Sequence, residues 1–430
     1  MGSEIVSIHG RRVWDSRGRP TVEAEVRLAT GAMGRAIAPS GASRGAREAV
    51  ELRDGGSRLG GKDVTRAAGC IGGEIADALV GFDARDQAAV DATLIALDGT
   101  KDKGRLGGNA VVAVSLAVAQ AAAASECLPL WRYLAADRPV SMPLPEIQIF
   151  GGGAHAGRRI DIQDLMVIPM AAMSFADALC VGAEVYRAAG ALMHEAGMRF
   201  GVADEGGHWP AFTTNEEALT VLVRAIERAG YVAGDEVAVS LDIAASELVS
   251  EGGYRFGLDG RDFDSDGLAE VLLDWIDRFP VVSIEDPFAE DDREAWIRFA
   301  AAAGEHVQIV GDDYLTTSAE RVDKAAADRA CNAALLKPNQ AGTVSETLAA
   351  RDAALRAGFG TIVSARSGET EDVAIVHLAV GWNAGQLKVG SFARGERTAK
   401  WNEGLRIEEA SGVRYAGAAA LRRGSAHRSR

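Results

Sequence analysis

VAVSLDIA (Val237–Ala244), VVSIED (Val281–Asp286) and VQIVGDD (Val307–Asp313) are short apolar runs that close on acids, and how they are read decides the fold. Three further runs follow, AALLKPN (Ala333–Asn339), TIVSARS (Thr361–Ser367) and QLKVGS (Gln386–Ser391), each closing on basic or polar groups. Between them, Leu268–Phe279, Arg293–Ala303 and Thr343–Ala357 carry helical patterns. Strand and helix therefore alternate at the spacing of βα units in a closed parallel barrel. Such barrels carry their chemistry at the carboxyl ends of the strands, which here read Asp242, Glu285, Asp312, Lys337, Arg366 and Lys388.

Three carboxylates on successive strands suit a hard divalent cation such as Mg2+, which takes oxygen ligands and completes its shell with water or substrate oxygens. Two lysines and an arginine on the following strands make the other half of the mouth positive. A mouth divided this way holds a metal and a small anionic substrate together.

The chain has 430 residues, enough for a barrel of about 250 residues and a second domain. The predicted division is an N-terminal α+β cap over 1–138, the barrel over 139–418 and a basic, disordered tail over 419–430. A formal charge of −15 argues against nucleic acid as a partner, since phosphate-backbone binding needs a basic surface. The four cysteines, Cys70, Cys127, Cys180 and Cys331, have no metal-binding spacing and read as reduced thiols of a cytoplasmic protein. The opening MGSEIVSIHG lacks the basic and apolar regions of a secretory signal. Ala110–Ala124, interrupted by Ser115 and Gln120, reads as a buried helix that falls short of a membrane span.

Ile5–Leu28 alternates apolar and polar residues around Asp15–Gly18, the pattern of two antiparallel strands and a turn. The small-residue loop Ala38–Gly45 (APSGASRG) is either a mobile connection or a lid. Helical patterns dominate from Val64 to Tyr133. After the prolines of Met142–Pro145 come a strand to Phe150, the glycine-rich Gly151–Gly157, a strand at Asp161–Pro169 and a helix at Phe175–Ala196. Gly201–Pro210 reads as a loop with adjacent acids, and a last Ala-rich helical pattern ends near Ala420.

At many points in order along the chain the sequence resembles enolase. The matching stretches include DSRGRPTVEAEV (Asp15–Val26), PSGAS (Pro39–Ser43), ELRDG (Glu51–Gly55), DEGG (Asp204–Gly207), SIEDPF (Ser283–Phe288), LLKPNQAGT (Leu335–Thr343), SGETED (Ser367–Asp372) and RIEEA (Arg406–Ala410). The resemblance implies a modified (β/α)8 barrel with an α+β cap, a homodimer or higher homo-oligomer, and Mg2+-assisted loss of water from 2-phosphoglycerate. Carried onto this sequence, it implies that Asp242, Glu285 and Asp312 hold one Mg2+ and that Ser40 helps hold a second. Lys337 would be the base and Glu205 the acid, with His155 near the substrate and Gln163 and Asp164 behind it. Lys388 would bind the substrate carboxylate, and Arg366 and Ser367 the phosphoryl group. Lys388 and the divalent charge are expected to lower the pKa of Lys337 so that it can act as a base.

Departures from the enolase pattern cluster around the substrate pocket. Ala365 stands where the family carries histidine, Arg44 replaces threonine, and Arg158 replaces asparagine or a similar residue. Gln163-Asp164-Leu165 stands for Gln-Glu-Phe, and Gln148 and Phe150 stand where asparagines are usual. A lost imidazole and added guanidiniums suit a larger or more negative 2-phosphoryl glycerate. Carboxyphosphonoenolpyruvate synthases, relatives of enolase in phosphinic-acid natural-product pathways, act on such a compound, 2-phosphonoformylglycerate. The gap at Ala365, with Arg44 or Arg158, would receive its extra carboxylate. The alternatives are a glycolytic enolase with a drifted pocket and an enolase-like protein retained for binding.

Overall fold

The computed structural model describes residues 2–422. In the cap, β1 (Ile5–Trp14), β2 (Pro20–Leu28) and β3 (Met33–Ile37) form an antiparallel sheet in that order. Asp15 builds the β1–β2 turn, its Oδ1 accepting from the Arg17 and Arg19 N–H groups at 2.9 and 2.8 Å. The Ala-rich segment forms α1 (Gly108–Ser125), packed on β2 and β3. By length and hydropathy α1 reaches that of a membrane span, correcting the expectation that it falls short, yet 83% of it is buried inside the protein. Its interrupting Ser115 has a structural task. The hydroxyl donates to Asp91 at 2.6 Å and accepts from Val344 N–H at 2.9 Å, tying the cap to the start of the barrel helix Val344–Arg356.

The barrel consists of β4 (Leu144–Gly151), β5 (Asp164–Pro169), β6 (Val237–Asp242), β7 (Val281–Glu285), β8 (Gln308–Gly311), β9 (Ala333–Leu336), β10 (Gly360–Ser364) and β11 (Gly385–Gly390). Each pairs with the next, and β11 closes the ring onto β4. All pairs are parallel except those made by β5, which runs antiparallel to both β4 and β6. The strands are buried on both faces, which is why they read as continuous apolar runs rather than alternations. Thr214 and Thr343 cap the helices Asn215–Arg228 and Val344–Arg356, each accepting from the N–H of the glutamate three residues on.

Three further expectations change. Gly201–Pro210 is mostly a short hairpin, Arg199–Val202 with His208–Pro210, attached to β4 through Phe150 and His208. Among the described residues the last helix is Gly395–Ser411, and Gly417–Ala420 is a single 3-10 turn. Residues 419–422 are not a loose tail: Leu421 is buried against Leu144 and Ile168, and Arg422 N–H donates to Gln308 Oε1 at 3.1 Å. The remaining tail residues, 423–430, lie outside the described part.

Candidate active site

Strand ends bring the acids and bases to one mouth. Asp242 ends β6, Glu285 ends β7, Asp312 follows β8, Lys337 follows β9, Ala365 to Ser367 follow β10, and Lys388 lies in β11. All are buried. Lys388 Nζ sits among three carboxylates, 2.7 Å from Glu285 Oε2, 2.9 Å from Asp242 Oδ2 and 3.3 Å from Asp164 Oδ2. Burial works against its charge, but Asp242 and Glu285 outweigh that and raise its pKa well above the ordinary lysine value. One ammonium cannot satisfy three acids: burial, then the charge of Asp242, drives Glu285 well up.

Lys337 contacts Asp312 directly, and Gln340 Nε2 donates to the other Asp312 oxygen at 2.8 Å. Burial opposes the charge of Lys337, yet Asp312 more than offsets it and raises the lysine pKa. In the metal-free protein Arg366 and Lys388 do act in the lowering direction, but the adjacent carboxylate outweighs them, so the expected lowering would need the divalent charge as well. Asp312 in turn is opposed by burial and held below the usual carboxylate range by Lys337 and then Arg366.

Across the ring, β5 stands four strands from β9, so Asp164 at its start faces Lys337 over the mouth. His155, in the turn Gly153–Ala156, bridges two acids, with Nδ1 3.2 Å from Asp164 Oδ1 and Nε2 3.8 Å from Glu205 Oε1. Glu205 rides the hairpin turn, where its carbonyl accepts from Ser391 N–H at 2.8 Å. Burial raises the pKa of Glu205. His155 is also raised, since Glu205 and Asp164 outweigh its own burial, while burial of Asp164 is outweighed by His155 and Lys388 and its pKa falls. The group therefore retains a proton on the Glu205–His155 side beside an ionised Asp164.

The loop Ala38–Gly45 lies over this mouth. Ser40 exchanges backbone hydrogen bonds with Gly368 at 2.9 and 2.8 Å, and Ala42 N–H donates to Ser367 Oγ at 2.7 Å. Arg366 forks onto Glu48 with two 3.0 Å bonds and donates to Asn339 Oδ1 at 3.0 Å.

The fit to a cation rests on unmet oxygens. Glu285 Oε1, Asp164 Oδ2 and Gln163 Oε1 are buried without a hydrogen-bond partner, while Gln163 Nε2 donates to Asp242 at 3.1 Å. An oxygen-only donor set short of positive charge fits Mg2+ better than a soft metal. The tight groupings among the described residues are His155–Asp164–Glu205 and Asp286–Asp312–Asp313, so the expected ligands Asp242, Glu285 and Asp312 are not one compact cluster here. Lysines lie against all three instead.

Comparison with known families decides the assignment. Residues 5–134 match the family described as Enolase, N-terminal domain, and residues 139–423 match Enolase, C-terminal TIM barrel domain. The chain belongs to the enolase family. Enolase-family proteins are Mg2+-dependent dehydratases, and the oxygen-lined mouth is compatible with that metal.

Three residues carried over from enolase or assigned to its substrate do not reach the mouth. The Ser40 hydroxyl donates to Glu51 at 3.1 Å and accepts from Arg53 at 3.2 Å, because the backbone pairing with Gly368 turns its side chain into the cap. Ser43, whose carbonyl accepts from Arg366 at 3.2 Å, is the loop serine at the site. Arg44 is exposed and donates to Ala49 O at 3.4 Å. Arg158, in left-handed backbone at φ 57°, points outward onto the carboxylate and carbonyl of Glu247. Arg158→Ala is therefore expected to leave KM for an anionic substrate within about twofold and stability within about 1 kcal/mol, as for an exposed ion pair. A tenfold rise in KM would return Arg158 to the pocket.

Sequence reading missed Glu48, Asn339 and Asp286. Asp286 accepts from the Asp312 and Asp313 N–H groups, both at 2.8 Å, and so fixes the backbone beneath Asp312. Its place directly after Glu285 in VVSIED was the available signal. Glu48, in a polar loop, offered none.

Proposed function

We propose that this enolase-family chain eliminates water from a 2-phosphoryl glycerate. The observation that carries the proposal is the opposition of Lys337 to the Glu205–His155–Asp164 group across a mouth whose carboxylates share too few cations. Lys337 Nζ, neutral once the charge of Asp312 would be spent on a bound cation instead of on the lysine, takes the proton from C2, the electron pair becomes the C2–C3 double bond, and the C3–O bond breaks. Glu205 gives its proton to the departing hydroxide, with His155 beside it as a proton partner. Lys388 and Arg366 orient the carboxylate and the phosphoryl group. Asp242, Glu285 and Asp312 would hold Mg2+, which when bound supplies positive charge for the carboxylate oxygens that become more negative as C2 loses its proton.

The substrate we favour is bulkier at phosphorus, such as 2-phosphonoformylglycerate, giving carboxyphosphonoenolpyruvate for phosphinate natural-product assembly. Its support is Ala365, buried next to Arg366, where the family carries imidazole. A second reading is 2-phosphoglycerate itself, favoured by the outward Arg44 and Arg158, which add no positive charge to the mouth.

Initial rates on the two compounds with Mg2+ separate these readings. A preference of about a hundredfold in kcat/KM for 2-phosphonoformylglycerate is the expected result, and turnover of 2-phosphoglycerate at about 10 per second or more with no such preference would establish the second. Ala365→His is expected to shift the preference at least about tenfold towards 2-phosphoglycerate.

A further inference from the structure

Gln148 in β4 is fully buried, and its amide joins the two halves of the acid side of the mouth. Nε2 donates to Asp164 Oδ1, and Oε1 accepts from Gly207 N–H at 2.8 Å. Gly207 O in turn accepts from Ala203 N–H at 2.8 Å, closing the turn that carries Glu205. The orientation of the amide is dictated by its partners, because a carboxylate needs a donor and an N–H needs an acceptor. It also has no room to move. A Cβ on Gly207 would come within 2.4 Å of Gln148 Oε1, and one on Gly151 within 3.3 Å of Nε2 and 2.5 Å of Ala203 Cβ.

We propose that Gln148 is a positioning residue that fixes the distance between Asp164 and the Glu205 turn, with its long side chain matched to the short carboxylate of Asp164. With Oδ1 held by this amide and by His155, Asp164 Oδ2 is left without a hydrogen-bond partner and directed to Lys388 at 3.3 Å. Removing one methylene at position 148 withdraws the amide from the carboxylate. Adding one at position 164 drives the carboxylate into the amide. Making both changes keeps the combined reach. The proposal rests on the dehydratase reading for its kinetic consequence, but not for its geometry.

The test compares Gln148→Asn, Asp164→Glu and the double variant. Each single change is expected to lower kcat at least about tenfold with KM within about threefold, and the double variant to recover most of that loss. Gln148→Met, equal in length but without donor or acceptor, should lose kcat like Gln148→Asn and covers the case in which the shorter residue packs poorly. Singles within about threefold of the parent, or a double variant no better than the product of the singles, would overturn the proposal.

A second arm needs no turnover: the His155 ring shifts in NMR, assigned by their loss in His155→Gln, should move in both singles and return in the double. Unmoved shifts would overturn the proposal whatever the substrate. A parent protein inactive on both glycerates would instead count against the dehydratase reading, with the ring shifts still deciding the role of Gln148.

Discussion

Lys337→Met is expected to lower turnover by about a hundredfold to ten-thousandfold and to abolish exchange of the substrate C2 proton with solvent, whereas Glu205→Gln should lose turnover to a similar degree but keep the exchange. The split follows from the two sides of the mouth. Lys337, held by Asp312, is the amine on the side opposite Asp164, so without it no group there takes the C2 proton. Glu205, raised by burial, holds a proton for the leaving hydroxide and has no part in the first transfer. Rapid exchange in Lys337→Met, or none in Glu205→Gln, would invert the assignment. Following 2H incorporation by NMR alongside product absorbance reads both steps.

Lys388→Met should be the most damaging change to the metal-free protein. Its ammonium is shared by Asp242, Glu285 and Asp164, and Glu285 Oε1 already lacks a partner. Removing one partner of a buried ion cluster leaves uncompensated charge and costs about 3–5 kcal/mol. Urea unfolding in the presence of chelator is expected to register a loss of that size. Saturating Mg2+ should restore part of it, and should stabilise the variant more than the parent, since a cation binding only the folded state adds stability by mass action. A loss below about 1 kcal/mol in chelator, with no differential Mg2+ effect, would mean that these carboxylates are not short of positive charge.

Much of this site was legible in the chain. The six runs from Val237 to Ser391 were recognisable as strands because a strand buried on both faces is apolar throughout, and their last residues gave the carboxylates and lysines directly. The helix Arg293–Ala303 was read to the residue, its start marked by Asp292 accepting from Ala295 N–H. The antiparallel course of β5 was not legible, since alternation and apolarity carry no direction.

Side-chain aim was the least legible feature. Arg44 and Arg158 sit on loops next to the mouth, and only the fold shows Arg158 turned to Glu247 and Arg44 to Ala49. Ser40 and Ser43 are three residues apart in one small-residue loop, yet the Ser40 hydroxyl turns to Glu51 and Arg53 while Ser43 meets Arg366 through its backbone carbonyl. The contact of Lys337 with Asp312 was likewise not legible: in the metal-free protein it outweighs the lowering by Arg366 and Lys388.

The most direct test of the dehydratase assignment is the appearance of enol absorbance when the protein and Mg2+ are given 2-phosphonoformylglycerate or 2-phosphoglycerate, with Mg2+ binding followed by calorimetry in the same samples. The expected result is product formation that stops on addition of chelator and resumes when Mg2+ is restored. Binding of Mg2+ and of both compounds without any enol product would contradict it and leave an enolase-like protein that binds without catalysing.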